Sequence, residues 1–502
     1  MESKISNLTR HYAVVLCVAL TLYLISCAPG MLWQDSGLIQ YRILQNDIEG
    51  LMGLATSHPL FYILAIGVKY LPVGQFPHKV NLVSAIAAAV AVANMFLFVR
   101  LWLGRNLPAA VASVTLAVSH TFWLHASMIE TYTLWAALFL AELIMLLQYT
   151  RTDRVRYLYW LGLLSGLSIS VHMLASIPLF CYAVFMAFRM VGKKINLRDL
   201  GIVVLLCIIG ALPYEYLIVK NSIQTGDITG TLASAAFGLR WQSEVLNTSL
   251  SPGIVKENLL YILLNFPTPN IMLIPVGCLA MFKATRSKGL RNILLSLIVL
   301  FLVFAFRYSV PDRYSFFIPF YCLASIFIGL GAYFLQERIK NHVSIIAVLF
   351  CGLIPIGVYA AAPMLAGKMK IDIGTRSDIP YRNDAEYFLQ PWKTGYNGAD
   401  RFAAEALELV EKNAVIYADI TIVAPLLLAR QVRNKRPDVA IVSGAFNSEN
   451  APNFDAQSFG RLLEERPVYI VSTKPRYCPE FVLDNYEFTR KGILWKIVKS
   501  KK

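Results

Sequence analysis

Asp35, in Trp33-Gln34-Asp35-Ser36-Gly37, lies just beyond the first apolar run, and Thr56-Ser57-His58-Pro59-Leu60 follows ahead of the second. A carboxylate at the mouth of an apolar bundle is costly to desolvate, so it generally has a task or a partner. Two accounts fit the local sequence. In one, Asp35 caps a helix running from Ser36 to about Leu44. In the other it takes a proton from a hydroxyl as general base. Glu130, in Ser127-Met128-Ile129-Glu130-Thr131-Tyr132, is the second such carboxylate. It is either a helix-start acid favoured by the macrodipole, or it shares positioning, proton transfer or a divalent metal with Asp35.

Cations and imidazoles supply the other half of such chemistry. His58 precedes a proline and is therefore expected in extended backbone, either tied to a carbonyl or facing a phosphate. His172 ends Gly166-Leu167-Ser168-Ile169-Ser170-Val171-His172 inside an apolar run, where it bridges helices or binds a ligand. Arg307 and Arg313 flank Asp312. An arginine paired with Asp312 is structural, whereas one left unpaired matches the oxygens of a phosphate or diphosphate, and Arg313 is the first candidate for that role. Glu142, inside an apolar run, is expected to hydrogen-bond between helices. His120 and His125 flank Trp123, as in an aromatic belt at a membrane interface.

The elements that must position these groups are membrane helices. The chain has 502 residues, 57% hydrophobic and 15% charged, with a mean hydropathy of +0.55, which excludes an ordinary soluble protein. Apolar segments near 12–31, 80–100, 107–124, 131–149, 157–173, 174–189, 199–219, 257–282, 290–306, 314–335 and 343–363 give eleven expected spans. The first reads as a retained helix rather than a cleaved signal. The net charge of +15 falls mostly in short loops: Lys4 and Arg10, Arg100 and Arg105, Arg151 to Arg156, Arg189 to Arg198, Lys283 to Arg291, Arg338 and Lys340. The short loops near 125–130 and 173–175 have no Lys or Arg. Such asymmetry sets orientation rather than binding nucleic acid, and it predicts a cytoplasmic N-terminus. With eleven spans the C-terminus is then outside, together with the loops 32–79 and 220–256. Eight cysteines show no disulfide or zinc spacing.

Residues 1–363 therefore read as a transmembrane domain and 364–502 as a small extracytoplasmic α/β domain. In the latter, helices are expected over 400–412, 422–433 and 459–465, strands over 414–418, 439–443 and 468–472, and a hairpin over 481–498. The sheet is expected to be largely parallel. No glycine-rich phosphate loop accompanies it. Leu60 to Leu71 is apolar but too short to span, and is expected to lie in the interface or re-enter the bundle.

The chain resembles a family in Trp33-Gln34-Asp35-Ser36-Gly37, His58-Pro59-Leu60-Phe61-Tyr62, Val80-Asn81-Leu82-Val83-Ser84-Ala85, Ile129-Glu130-Thr131-Tyr132, the segment ending at His172, and Arg436-Pro437-Asp438-Val439. These look like the bacterial protein O-mannosyltransferase-like membrane proteins of the GT-C glycosyltransferase superfamily, most densely over residues 30 to 175. Where related enzymes commonly carry an acidic pair, this chain has Asp35-Ser36, and the HPP-type motif is His58-Pro59-Leu60. The resemblance implies an integral inner or plasma membrane protein of GT-C fold. It implies sugar transfer on the extracytoplasmic face from a polyprenyl-phosphate-linked donor to an acceptor hydroxyl on protein, lipid or glycan. It makes Asp35 the base, and the reading of the residues themselves adds Glu130 beside it and His58, Arg313, Arg307, His172 and Trp33 as substrate contacts. No cofactor is firmly implied; the donor lipid is a substrate. A transporter or flippase of a lipid-linked envelope intermediate is the alternative, although it calls for polar residues along a path across the membrane.

Overall fold

The computed structural model describes residues 2–500 apart from 73, 239–241, 286, 311, 340, 341, 372, 375, 445 and 450; at 2–6, 246, 342–345, 499 and 500 only the backbone is considered. Arg286, Lys340 and the side chain of Lys4, invoked above for topology, lie outside these limits. The chain divides into two units. One comprises Met1–Ser26, Ile48–Ala65 and Val83–Ala362, and the other Cys27–Asp47, Ile66–Leu82 and Pro363–Lys502. Two early segments, Cys27–Asp47 and Ile66–Leu82, belong to the same unit as Pro363–Lys502.

In chain order the helices up to the first long span are α1 (Glu2–Ser26), α2 (Gln34–Gln45), α3 (Pro59–Lys69) and α4 (Phe76–Leu103). Then come α5 (Asn106–Ala117), α6 (His120–Ser127), α7 (Tyr132–Thr152), α8 (Arg156–Val171), α9 (Ser176–Val191) and α10 (Leu197–Thr225). They are followed by α11 (Ile228–Phe237), α12 (Gln242–Leu246), α13 (Pro252–Asn265), α14 (Leu273–Ala284), α15 (Lys288–Arg307), α16 (Ile318–Ile339), α17 (His342–Cys351) and α18 (Ile354–Lys368). Among the described residues eight helical stretches are long and apolar enough to cross a membrane. Two bent pairs, α5 with α6 at 64° and α13 with the stretch Pro269–Ala284 at 110°, bring the number to ten. All eleven expected segments fall on helix; the remaining one is α8, whose 16 residues fall short by length.

Small residues bring the helices of the first unit together. A Cβ on Gly166 of α8 would lie 2.0 Å from the Cys207 carbonyl oxygen of α10, and one on Gly162 would lie 2.5 Å from that of Val203. Glycines four apart allow such close approach. The centre of the unit is α16, buried continuously from Ile318 to Ala332. A Cβ on Gly277 of α14 would meet the Phe327 carbonyl oxygen at 1.9 Å, and one on Gly329 would meet Ala112 of α5 at 2.8 Å.

The basic loop residues of this unit gather at one end. Arg151 donates to the carbonyl oxygens of Leu101 and Trp102, and Arg105 pairs with Glu337 at 3.3 Å. Arg189 pairs with Asp153, while Lys283 and Arg338 both lie over the Phe334 ring. This is the arrangement that alternating loop charges require. Helix α8 leaves this end, where Tyr159 donates to Asp199 at 2.7 Å, and finishes one residue before His172.

In the second unit the later elements are α19 (Asp384–Leu389), α20 (Gly398–Leu409), β1 (Val415–Tyr417), α21 (Val423–Val432), β2 (Ala440–Val442), α22 (Phe459–Glu465), β3 (Val468–Ile470), α23 (Glu480–Asn485), β4 (Tyr486–Lys491) and β5 (Leu494–Ser500). The sheet order is β2-β1-β3-β5-β4. The first three strands are parallel, with Val415 opposite both Ala440 and Val468. The β4–β5 hairpin adds antiparallel to β3, so the sheet is mixed where a largely parallel one was expected. Strands β2 and β3 are wholly apolar and buried, as strands covered on both faces require.

Candidate functional site

Asp35 belongs to the second unit. The helix carrying it begins at Gln34 rather than Ser36, with Trp33 in the cap position and no side-chain cap bond. Asp35 therefore does not cap the helix but sits in its first turn. The cause is Gln34, which adopts a left-handed φ of +53° and is held there from two sides. Its backbone N–H donates to the Thr421 carbonyl oxygen at 3.2 Å, and its Oε1 accepts from Arg382 Nη2 at 3.0 Å. Such a conformation persists only where its surroundings impose it.

Buried groups extend the brace. The Arg382 side chain is 1% exposed, pairs with Asp384 and lies over the rings of Tyr387 and Trp33. Trp33, expected to line the substrate, is fully buried; it donates from Nε1 to the Tyr396 hydroxyl at 2.7 Å and packs on Phe402. As placed, it supports the residues beside Asp35. The Met31 N–H donates to Asp400 at 2.8 Å, and Asp400 pairs with Arg433. Gln40 accepts from the Leu32 N–H and donates to Asn81 at 2.9 Å. Helix α2 packs on α21 where a Cβ on Gly37 would come within 3.1 Å of Ala424.

On this frame the Asp35 carboxylate is exposed, and no hydrogen bond or ion pair from a described residue reaches it. The mass of protein around it nevertheless desolvates it and raises its pKa above the ordinary carboxylate range. The shift runs against the helix N-terminus, which favours the anion.

The other expected site residues lie in the first unit. Glu130 sits between α6 and α7, where its N–H donates to Ser84 Oγ and the Ser84 hydroxyl donates to its carbonyl oxygen, both at 2.8 Å. Its carboxylate is 4.0 Å from His125 Nδ1, and His125 Nε2 shares a 3.0 Å hydrogen bond with Ser315 Oγ. The His125 ring lies 5.0 Å from Tyr132, Tyr132 lies 4.9 Å from His172, and His172 lies 4.7 Å from His58. Four rings thus form one continuous row. His120 and His125 are buried in the bundle rather than set in an aromatic belt, and Trp123 donates inward to Ser26 Oγ at 2.9 Å.

His58 is not in the extended backbone that its proline predicts; its φ is +53°. Its Nδ1 hydrogen-bonds to the Val171 carbonyl oxygen at 2.8 Å, and its own carbonyl oxygen accepts from the Tyr62 N–H, which opens α3. These contacts outweigh the local preference. His172 accepts from the Leu174 N–H at 3.1 Å and so caps the short turn Met173–Ala175.

Arg313 is buried and is not unpaired; its partner is Glu257, whose side chain is half exposed, rather than Asp312. Its Nε has no hydrogen-bond partner among the described residues, and its guanidinium lies 5.7 Å over the Tyr261 ring. Arg307 donates to the carbonyl oxygens of Val245 and Asn247 and so anchors the end of α12. Glu142 accepts from Ser168, the interhelical bond expected of it. Among the described residues no three His, Cys, Asp or Glu side chains converge as a metal site.

Sequence reasoning passed over Arg382, Ser84, Tyr132 and Lys393. Lys393 is almost fully buried beside the Tyr387 ring and donates to the Gln390 carbonyl oxygen, and burial pulls its pKa down to about 7. Nothing in Gln390-Pro391-Trp392-Lys393 separates it from a surface lysine. Tyr132 was signalled by its place two residues after Glu130.

Comparison with known proteins gives this arrangement a family setting. Residues 53–195, which hold His58, Glu130 and His172, match the family model described as the protein O-mannosyl-transferase TMEM260 N-terminal domain. The fold matches the crystal structure of ArnT from Cupriavidus metallidurans bound to undecaprenyl phosphate, with a TM-score of 0.65 at 15% identity, over 97% of this chain and 98% of that one. Residues 53–195 are thus similar to a protein O-mannosyl-transferase domain, and the chain shares the fold of ArnT. The oligosaccharyltransferase of Archaeoglobus fulgidus, tethered to an acceptor peptide containing the NVT sequon, also matches in fold, with a TM-score of 0.51 at 12% identity, over 98% of this chain and 74% of that one. No curated protein matches. Asp35 falls before the residues that the family model covers, so the match bears on the ring row and not on the carboxylate.

Proposed function

We propose that this protein is a GT-C-type glycosyltransferase that moves a sugar from a polyprenyl-phosphate carrier to an acceptor hydroxyl on the extracytoplasmic face, with Asp35 as general base. The observation that carries the reading is the Asp35 carboxylate itself: exposed, raised in pKa, and mounted on a buried frame. A base needs free lone pairs and a fixed aim, and its efficiency rises as its pKa approaches the working pH. The undecaprenyl phosphate bound by ArnT supports a donor of that lipid class. The family model supports a hydroxyl acceptor. The gathering of basic loops at one end of the helical unit supports the orientation.

In the step, the acceptor oxygen attacks the anomeric carbon as its proton passes to an Asp35 oxygen. The bond from the anomeric carbon to the phosphate oxygen breaks, and the configuration inverts. The leaving lipid phosphate needs no acid, because its growing charge can be met by cations. Arg313 is the first choice and His58 a helper. Glu257 would share the Arg313 guanidinium while the phosphate departs. The mechanism routes no step through a metal.

Reconstituted protein supplied with a labelled polyprenyl-phosphate sugar provides the test. Asp35→Asn is expected to abolish transfer while expression and membrane insertion stay normal. Full transfer by that variant overturns the assignment, and label that crosses between leaflets without reaching an acceptor overturns the enzyme in favour of a flippase.

A further inference from the structure

A groove between α7, α9 and α15 lies at the basic end of the first unit, away from the ring row. It encloses about 800 Å³. Its upper wall is polar: Thr150, Asp153, Arg189, Ser287, Lys288 and Asn292. Its lower wall is hydrocarbon, supplied by Phe180, Val184 and Phe188 from α9 and by Ile293 and Leu300 from α15. Phe180 and Phe188 are 64% and 73% exposed, as side chains facing acyl chains are.

The stripe Lys288, Asn292, Ser296 and Leu300 recurs every four residues down one face of α15, grading from ammonium through amide and hydroxyl to hydrocarbon. It runs for about 18 Å, close to the ~15 Å of one hydrocarbon leaflet. Lys288, Asn292 and Ser296 are exposed, and no described residue hydrogen-bonds or pairs with them. Exposed polar side chains within a spanning helix are expensive unless something answers them. The nearby Arg189 is already neutralised by Asp153 and also donates to the Tyr149 hydroxyl at 3.1 Å. Among the described residues that line the groove, Lys288 is therefore the positive charge that no ion pair compensates.

We propose that this groove binds an anionic glycerophospholipid, with the phosphodiester at Lys288, the glycerol ester carbonyls at Asn292 and Ser296, and one acyl chain along Phe180, Val184 and Phe188. The Lys288 charge favours a headgroup with no cation of its own over a zwitterionic one. Because the groove belongs to the basic end, this inference stands or falls independently of the role given to Asp35.

The test is native mass spectrometry of the purified full-length protein in detergent, titrated with phosphatidylglycerol and phosphatidylcholine of identical chains. Phosphatidylglycerol is expected to be retained about five-fold better, the effect of one lysine near an anionic headgroup. Lys288→Gln is expected to reduce its retention to the phosphatidylcholine level. Ser296→Phe, which fills the groove and keeps the charge, is expected to lower retention of both lipids, with both variants eluting as the wild type does. Equal retention of the two lipids by wild type overturns the proposal, as does unchanged phosphatidylglycerol binding in both variants. Preferential displacement of phosphatidylglycerol by a polyprenyl phosphate at equal concentration overturns the choice of lipid.

Discussion

Asp35 carries opposed demands of charge and stability, and this makes its role measurable apart from activity. Its raised pKa means that the folded protein holds the proton more tightly than the unfolded chain does. The favourable contribution is complete below the unfolded carboxylate value of about 3.9 and is lost as pH rises through the folded value. At neutral pH the ionised carboxylate is therefore a net cost, kept small by its exposure. Asp35→Asn retains the shape and removes the charge, so its thermal unfolding in detergent is expected to match or exceed that of wild type at pH 7, with the difference vanishing in acid. Wild-type transfer is expected to rise with pH through the same raised value. A variant that unfolds earlier than wild type at pH 7 would mark Asp35 as structural. The sequence pointed to Asp35 through its position after an apolar run. It did not reveal the brace of Arg382 on Gln34, because residues 348 apart meet only through the fold.

At the scale of elements, hydropathy located nearly every helix, since an apolar run of spanning length has few other fates. Breaks were harder to read: α5 and α6 bend by 64° around Val118 and Ser119, a kink that no proline announces. His58 was misjudged because a tertiary bond to Val171 decides its backbone, while the proline rule describes only local sterics. The spacing of Gly162 and Gly166 on α8 has the most direct energetic consequence. With the Cys207 carbonyl oxygen 2.0 Å from where a Cβ would stand, Gly166→Leu must push α8 from α10 and shift His172 one residue beyond the helix end. Overpacking of this kind costs about 1–3 kcal/mol. A lower unfolding temperature and reduced transfer are expected. Gly201→Leu on α10, where a Cβ meets nothing within 4 Å, serves as the control and should change neither. Equal behaviour of the two variants would contradict the packing argument.

For the whole molecule, composition could not foresee that Cys27–Asp47 and Ile66–Leu82 group with Pro363–Lys502, because that depends on contacts such as Gln34 with Thr421. Orientation turns on α8. Length and apolarity alone give ten spans with the bent pairs counted, an even number that would leave both termini on one side. Helix α8 has 16 residues, about 24 Å of helix against ~30 Å of hydrocarbon, but it runs from the basic end to His172. If it crosses, the count is odd and the two termini lie on opposite sides of the membrane. Glu465→Cys, at an exposed position after Pro363, is then expected to react with a membrane-impermeant maleimide in intact cells. Lys193→Cys, exposed in the loop after α9, should react only after permeabilisation. The native cysteines give little background, since Cys478 is buried and Cys17 lies within the first apolar span. Labelling of both positions from the same side would mean that α8 does not cross, and would remove Asp35 from the face that the proposed transfer requires.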